Sequence, residues 1–245
     1  MINPCLVIPI YNHKATIASV LDQVAQFGLP CIIVDDGSDI ATRHVLEGQD
    51  KHRPWVQVLH LPHRRGKGEA VKTGLQRAHE LGYSHALQLD ADGQHDARDI
   101  PRFLAEAEAY PQALVLGKPT FGEDAPLSRR LGRRISQFWV WVETLSPAIA
   151  DPLLGFRVYP VRAVVALMQK QRLGSYMDFD PEIAVRLYWR GVPIRNVMTA
   201  VIYPQDGSSH FRVVRDNVRL SWLYTRLFFG MLYRMPCLLC MKKSP

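Results

Sequence analysis

Leu87-Gln88-Leu89-Asp90-Ala91-Asp92-Gly93-Gln94-His95 closes an apolar run with two carboxylates at i and i+2, followed by a glycine, an amide and an imidazole. Successive side chains of a strand point to opposite faces, so Asp90 and Asp92 converge only where the strand ends or bends, and Gly93 supplies that freedom. Two hard oxygen ligands suit Mg²⁺ or Mn²⁺, with the rest of the shell left to water and phosphate. A nucleotide diphosphate is then the expected guest. The competing reading is a solvated turn after a strand, since Asp and Gly are ordinary turn residues.

The same pattern recurs upstream. Cys31-Ile32-Ile33-Val34 reads as a buried strand and runs directly into Asp35-Asp36-Gly37-Ser38. Leu6-Val7-Ile8-Pro9-Ile10 likewise ends in the polar pair Tyr11-Asn12. Between these junctions, Ala15 to Phe27 carries Ile17, Val20, Leu21 and Val24 at helical spacing. Ligands of open parallel α/β sheets bind outside the carboxyl ends of the strands, so the acidic strand ends point to one crevice. The expected fold is α/β and Rossmann-like, with a mostly parallel central sheet flanked by helices.

Pro9-Ile10-Tyr11-Asn12, Val34-Asp35-Asp36-Gly37-Ser38, Gly66-Lys67-Gly68 and Asp90-Ala91-Asp92-Gly93-Gln94-His95, in this order, resemble the GT-A glycosyltransferases of family 2. Within that family the likeness is to the dolichyl- or polyprenyl-phosphate mannose synthase type, and it extends over about residues 4 to 210. The resemblance implies that Asp36 bonds the edge of the donor base in a pocket shaped by Pro9, Tyr11 and Asn12. It implies that Asp90, Asp92 and Gln94 hold Mg²⁺ or Mn²⁺ on the diphosphate, with Asp92 the foremost catalytic candidate. Lys67 belongs to a basic cluster, His63-Arg64-Arg65-Gly66-Lys67-Gly68, whose glycines admit close backbone approach; it is expected on the donor side.

Asp151-Pro152-Leu153-Leu154-Gly155-Phe156-Arg157 matches the segment that the family places under acceptor and donor sugar, with Arg157 toward a phosphate. Asp178, Asp180 and Glu182 stand where the family carries an acid-bearing helix start, and any of the three is a candidate to act on the acceptor. Asp180 also reads as a helix cap ahead of Pro181. A phosphate acceptor is already ionised at neutral pH and needs no strong base, whereas a hydroxyl acceptor does. Downstream, the loop Tyr203 to Arg212 corresponds to one that closes over the diphosphate, with His210 and Arg212 as phosphate clamps. One departure stands out: His13 follows the Tyr-Asn pair where these synthases usually carry Glu.

Composition is consistent with this scheme. The chain has 245 residues and four cysteines, two of them in strand contexts, which reads as reduced thiols. Residues 1–212 are expected to form the GT-A domain, split into a nucleotide-binding half at 1–118 and an acceptor half at 119–212. Residues 213–245 are expected to form an amphipathic C-terminal segment. The net charge of +7 gathers at residues 63–68, at Arg129, Arg130, Arg133 and Arg134, and between Arg212 and Arg234. Acidic strand ends in the cleft would repel a nucleic-acid backbone, so a small anionic donor is the expected partner. Leu220 to Met241 is apolar but broken by Arg226, Arg234 and Pro236, which favours an interfacial helix over a spanning one. Packing of that stripe on the domain or in a dimer is the competing reading. With no signal peptide expected, the location is cytoplasmic and peripheral on the inner membrane face. The sequence therefore points to a metal-dependent, inverting transferase that moves a sugar from a nucleotide-diphosphate donor to a lipid-linked, polyprenyl-phosphate-like acceptor. Its alternatives are the same chemistry on a soluble hydroxyl acceptor, and a catalytically dead membrane-recruited binding protein.

Overall fold

The computed structural model describes residues 1–120, 127–201 and 213–241. Three apolar segments predicted as strands form β1 (Pro4–Ile10), β2 (Cys31–Asp35) and β4 (His85–Gln88), and all three are buried almost throughout. Burial on both faces is what makes their sequences continuous apolar runs. β3 (Val56–His60) lies at the edge and is only partly covered. Between these strands run α1 (Ile17–Ala25), α2 (Ile40–His52) and α3 (Lys67–Glu80). The α1 stripe Ile17, Val20, Leu21 and Val24 is buried, as its spacing predicts. In α2, the carboxylate of Asp39 caps the first turn by accepting from the Thr42 amide at 2.7 Å.

The second half contributes α4 (Ile100–Ala109), β5 (Leu114–Thr120), α5 (Leu127–Thr144), β6 (Arg157–Pro160), α6 (Val161–Lys170), α7 (Phe179–Tyr188), β7 (Ile194–Ala200) and α8 (Val213–Met241). The seven strands form one sheet in the order β3-β2-β1-β4-β6-β5-β7. β6 runs antiparallel to both neighbours and the other pairings are parallel. This mixed, mostly parallel sheet flanked by helices is the GT-A fold.

Two consequences of this order position the site. The chain leaves β1 toward β2 and β3, then returns to place β4 on the other side of β1, so the loops after β1 and β4 flank a switch point. An antiparallel strand starts where its parallel neighbours end. Arg157, the first residue of β6, therefore pairs with Gln88, the last of β4, and the 151–156 loop enters beside Asp90.

One apolar layer packs α3, α6, α7 and α8 against the sheet, and the other packs α1 and α4 on the opposite face. The inner stripe of α8, with Leu220, Leu223, Tyr224 and Leu227, belongs to the first layer, while Trp222, Phe229 and Tyr233 stand outward. The C-terminal stripe thus packs on the domain and still keeps an exposed apolar face. No helix among the described residues is long and apolar enough to cross a membrane. All four cysteines are free, Cys5 and Cys31 in the core and Cys237 and Cys240 on the surface of α8.

Candidate active site

The β1 junction is built by short-range polar bonds. Asn12 adopts the left-handed backbone, φ 57°, which Asn tolerates better than most residues. Its amide donates to Ser38 Oγ at 2.9 Å, and its side-chain oxygen accepts from the Asp39 amide at 2.9 Å, which ties the β1 and β2 loops together. Tyr11 lies under the Arg64 guanidinium, 4.0 Å from the ring centroid, a cation–π contact. Pro9 sits inside buried β1, two residues past Val7, where pairing with β4 stops. There it pairs with Val34 of β2.

Asp36, expected to bond the edge of the donor base, is held by main-chain amides. Its carboxylate accepts from the amides of Arg65 at 2.6 Å and Gly66 at 2.9 Å, and the residue is 2% exposed. A Cβ on Gly37 would lie 2.5 Å from Arg64 N, so the 63–66 segment lies directly across this turn. Burial raises the Asp36 pKa, and the two amide bonds only partly oppose it. In this arrangement Asp36 anchors the basic loop.

At the end of β4, the two acids of the opening motif have different surroundings. Lys67 Nζ lies 2.8 Å from both oxygens of Asp90, and His95 Nε2 lies 3.4 Å from Oδ2. Burial alone would push the Asp90 carboxyl up, but Lys67 and His95 outweigh it and hold it well below the usual carboxylate range. Burial likewise opposes the Lys67 charge, and Asp180 and Asp90 overcome that, which raises its pKa. Behind Asp90, Tyr159 donates to Gln88 Oε1 at 2.9 Å in the core. Asp92 is half-buried, and its described bond is one turn contact, Gln94 N to Oδ1 at 3.0 Å. Gly93, at φ 73°, makes the bend between Asp92 and Gln94.

Among the described residues no cluster of three or more His, Cys, Asp or Glu forms a ready metal cage. A donor set of one or two carboxylates still fits Mg²⁺ or Mn²⁺, because these ions keep several waters and take their other oxygens from substrate phosphates. Asp92 offers such a carboxylate, whereas Asp90 is occupied by Lys67.

Gly155 makes room for Asp90: a Cβ there would lie 2.6 Å from Asp90 Oδ1. Arg157, expected to contact an acceptor phosphate, is 0% exposed and donates to the main-chain oxygens of Pro152, Leu154 and Asp180 at 2.6–2.7 Å. It fastens the 152–154 loop to α7 from beneath. Asp151 accepts a two-oxygen contact from Arg133 at 2.8 and 2.7 Å.

The three acceptor-side carboxylates differ sharply. Glu182 is 0% exposed and bonds Gly174 N at 2.7 Å and Arg186 and Arg226 at 2.8 Å each. Its oxygens are committed to these partners. Asp180 is buried, with Oδ2 3.3 Å from Lys67. Asp178 keeps solvent access, with Oδ1 accepting from Tyr176 N at 3.0 Å. Arg219 stacks on the Tyr176 ring at 3.6 Å, so the rim above Asp178 is cationic. His210 and Arg212 lie outside the described residues.

His95, the final residue of the opening motif, had no assigned role, although its i+5 spacing from Asp90 on a glycine turn is the signal that brings the pair together. The tie between Lys67 and Asp180 had no local signal.

The chain matches, over residues 5–164, the family model described as Glycosyl transferase family 2. It is 25% identical over 215 residues to a UDP-N-acetylglucosamine–dolichyl-phosphate N-acetylglucosaminyltransferase of Methanococcus voltae, covering 79% of this chain and 85% of the relative. It is 26% identical over 247 residues to a dolichyl-phosphate beta-glucosyltransferase of Dictyostelium discoideum, covering 89% and 74%. In fold it is similar to glucosyl-3-phosphoglycerate synthase of Mycobacterium tuberculosis, crystallised with Mn²⁺, UDP-glucose and phosphoglyceric acid. That superposition has a TM-score of 0.69 at 16% identity and covers 94% of this chain and 79% of the other.

Proposed function

The chain belongs to glycosyl transferase family 2 and is a glycosyltransferase, and from that premise we propose that it moves one sugar, with inversion, from a nucleotide-diphosphate donor to a polyprenyl-phosphate acceptor, using Mg²⁺ or Mn²⁺. The reading for the acceptor rests on one observation. Glu182 is saturated and Asp180 is paired with Lys67, so the acceptor side presents cations and little free base. That environment suits a phosphate, which arrives ionised and needs no deprotonation. The names of the Methanococcus and Dictyostelium relatives agree with such an acceptor.

On this reading the donor base lies against Tyr11 beneath the 63–66 loop, and Asp92 holds the divalent ion, with Gln94 next to it on the turn. A bound ion supplies Lewis-acid stabilisation of the charge that develops on the leaving diphosphate. Asp90 positions Lys67 and His95 under the diphosphate, and Gly155 keeps Asp90 in place. Arg157 holds the 152–154 loop against α7. His210 and Arg212 are proposed to clamp the phosphates. The outward faces of α5 and α8 are proposed to rest on the inner membrane surface, which brings a lipid-borne phosphate to Asp178 and Arg219.

The test is a thermal-shift screen of the full chain against GDP, UDP, CMP and dTDP with and without Mn²⁺, followed by transfer from the selected nucleotide sugar to undecaprenyl or dolichyl phosphate. Binding to the folded state raises the midpoint by mass action, so one nucleotide with a metal-dependent rise identifies the donor class. Asp178→Asn is expected to retain most turnover with the phosphate acceptor. Its complete inactivation would instead support a hydroxyl acceptor with Asp178 as base.

A further inference from the structure

Lys67 opens α3, between two glycines that have no room for a side chain. A Cβ on Gly66, at φ 105°, would lie 2.6 Å from the Tyr176 ring, and one on Gly68 would lie 2.9 Å from the Ser175 carbonyl carbon. The start of α3 is therefore pressed against the 174–179 segment that leads into α7. The Glu69 amide reinforces the contact by donating to Ser175 O at 3.1 Å. This close approach sets the Lys67 ammonium between two acids of different origin: Asp90 from the end of β4, at 2.8 Å, and Asp180 from α7, at 3.3 Å.

Asp180 has no comparable second partner. Its Oδ1 is buried without a hydrogen bond, and the nearest guanidinium nitrogen, Arg157 Nη1, lies 3.8 Å away and donates to the Asp180 main-chain oxygen. A buried carboxylate left in this way depends on the single ammonium that reaches it. Three acids, Asp90, Asp92 and Asp180, thus surround Lys67, with Arg157 as the only other full cation beneath them among the described residues. The cluster is one positive charge short.

We propose that Lys67 is a positioning residue that ties the donor half of the site to the acceptor half by bridging Asp90 and Asp180, and that it competes with the divalent cation for Asp90. The first part stands on the geometry alone; the second rests on the metal reading given above. With Lys67 in place, a divalent ion meets one open carboxylate, Asp92, and binds well only together with the nucleotide diphosphate. Without the ammonium, Asp90 and Asp180 add to the acidic field and the ion binds by itself.

The experiment measures Mn²⁺ binding to the full chain without nucleotide, by the electron paramagnetic resonance signal of free Mn²⁺, for wild type, Lys67→Met and Lys67→Arg. Lys67→Met is expected to bind Mn²⁺ at least about tenfold more tightly, and Lys67→Arg to stay near wild type. Turnover of Lys67→Met should fall in kcat more than KM rises. A folded Lys67→Met with unchanged or weaker Mn²⁺ binding overturns the competition. A double-mutant cycle of thermal midpoints with Asp180→Asn decides the tie separately: strong non-additivity is expected, and additivity overturns it. If no form binds Mn²⁺, the metal reading and the competition fail together, and the cycle still decides the bridge. Lys67→Gln replaces Lys67→Met if the latter does not fold.

Discussion

Asp92 and Gly155 act on the same few ångströms of the site in opposite ways, one by what it offers and the other by what it lacks. Asp92 makes one described turn bond and is half-buried, so Asp92→Ala is expected to lower stability by no more than about 1 kcal/mol. It should nevertheless cut kcat by ~10²–10³-fold or more, as loss of a charge-stabilising group at a reacting centre does. A circular-dichroism melt beside a transfer assay separates the two effects, and near-normal turnover would remove Asp92 from the chemistry. Gly155 contributes space. An added methyl would collide with the Asp90 carboxylate, so Gly155→Ala must move either Asp90 or the 151–156 loop. Overpacking costs about 1–3 kcal/mol, and misplacing a site group by about 1 Å costs on the order of 10²-fold in rate. Gly155→Ala should therefore lose activity well before it loses its fold, and unchanged turnover would show that Asp90 tolerates displacement.

Among the elements, the α5–α7–α8 seam contains a group that the site does not use. Glu143 of α5 is fully buried, and neither carboxylate oxygen has a hydrogen-bond partner. Its main-chain oxygen accepts from the Trp189 indole at 2.8 Å, which fixes the helix end. Burial pushes its pKa up to about 9. Because the folded value exceeds the unfolded one, the folded state keeps a proton that the unfolded state has released between about pH 4.5 and pH 9. Stability then falls as pH rises through that window, by up to about 1.4 kcal/mol per pH unit, and levels off above it. Glu143→Leu, similar in volume, is expected to flatten that slope and raise the melting midpoint at pH 8. A wild-type midpoint that did not decline between pH 6 and pH 9 would contradict this. Nothing in the local sequence marks Glu143 as buried, since Val142-Glu143-Thr144 reads equally well as a solvated helix end.

For the whole molecule, the informative pattern is an apolar face on a basic chain. Trp222, Phe229 and Tyr233 of α8 are 66%, 64% and 85% exposed, and Phe138 and Trp139 of α5 join Phe228 and Phe229 in edge-to-face contacts. A cavity of about 400 Å³ opens between the two helices, lined by Ile135, Trp139, Leu220, Tyr224 and Phe228 among others. Exposed apolar surface of this kind, on a chain of net charge +7, suits an anionic bilayer, with aromatic rings at the interface and arginines toward headgroups. The protein is expected to sediment with vesicles containing anionic lipid and to be released progressively as salt rises. Trp222→Asp with Phe229→Asp should abolish sedimentation yet leave turnover of a short-chain, water-soluble polyprenyl phosphate near wild type. If the double variant still sediments, the membrane face lies elsewhere.

The sequence alone determined three of the strands, β1, β2 and β4, and the acids that follow β2 and β4, because apolar runs, helical spacing and turn chemistry are local preferences that a few neighbouring residues express. It also identified the family, since four motifs in order are a property of the string itself. Only the tertiary structure decided what each polar group faces. Asp36 lies under a loop, Arg157 fastens backbone from below, Glu182 is bound by Arg226 of α8 as well as by its helix neighbour Arg186, and Lys67 joins β4 to α7. Each outcome depends on segments remote in sequence meeting at the sheet's carboxyl edge, and on burial that makes every unpaired charge there costly. A residue's type sets the chemistry it can offer; its packed surroundings set whether that chemistry reaches a substrate or holds the site together.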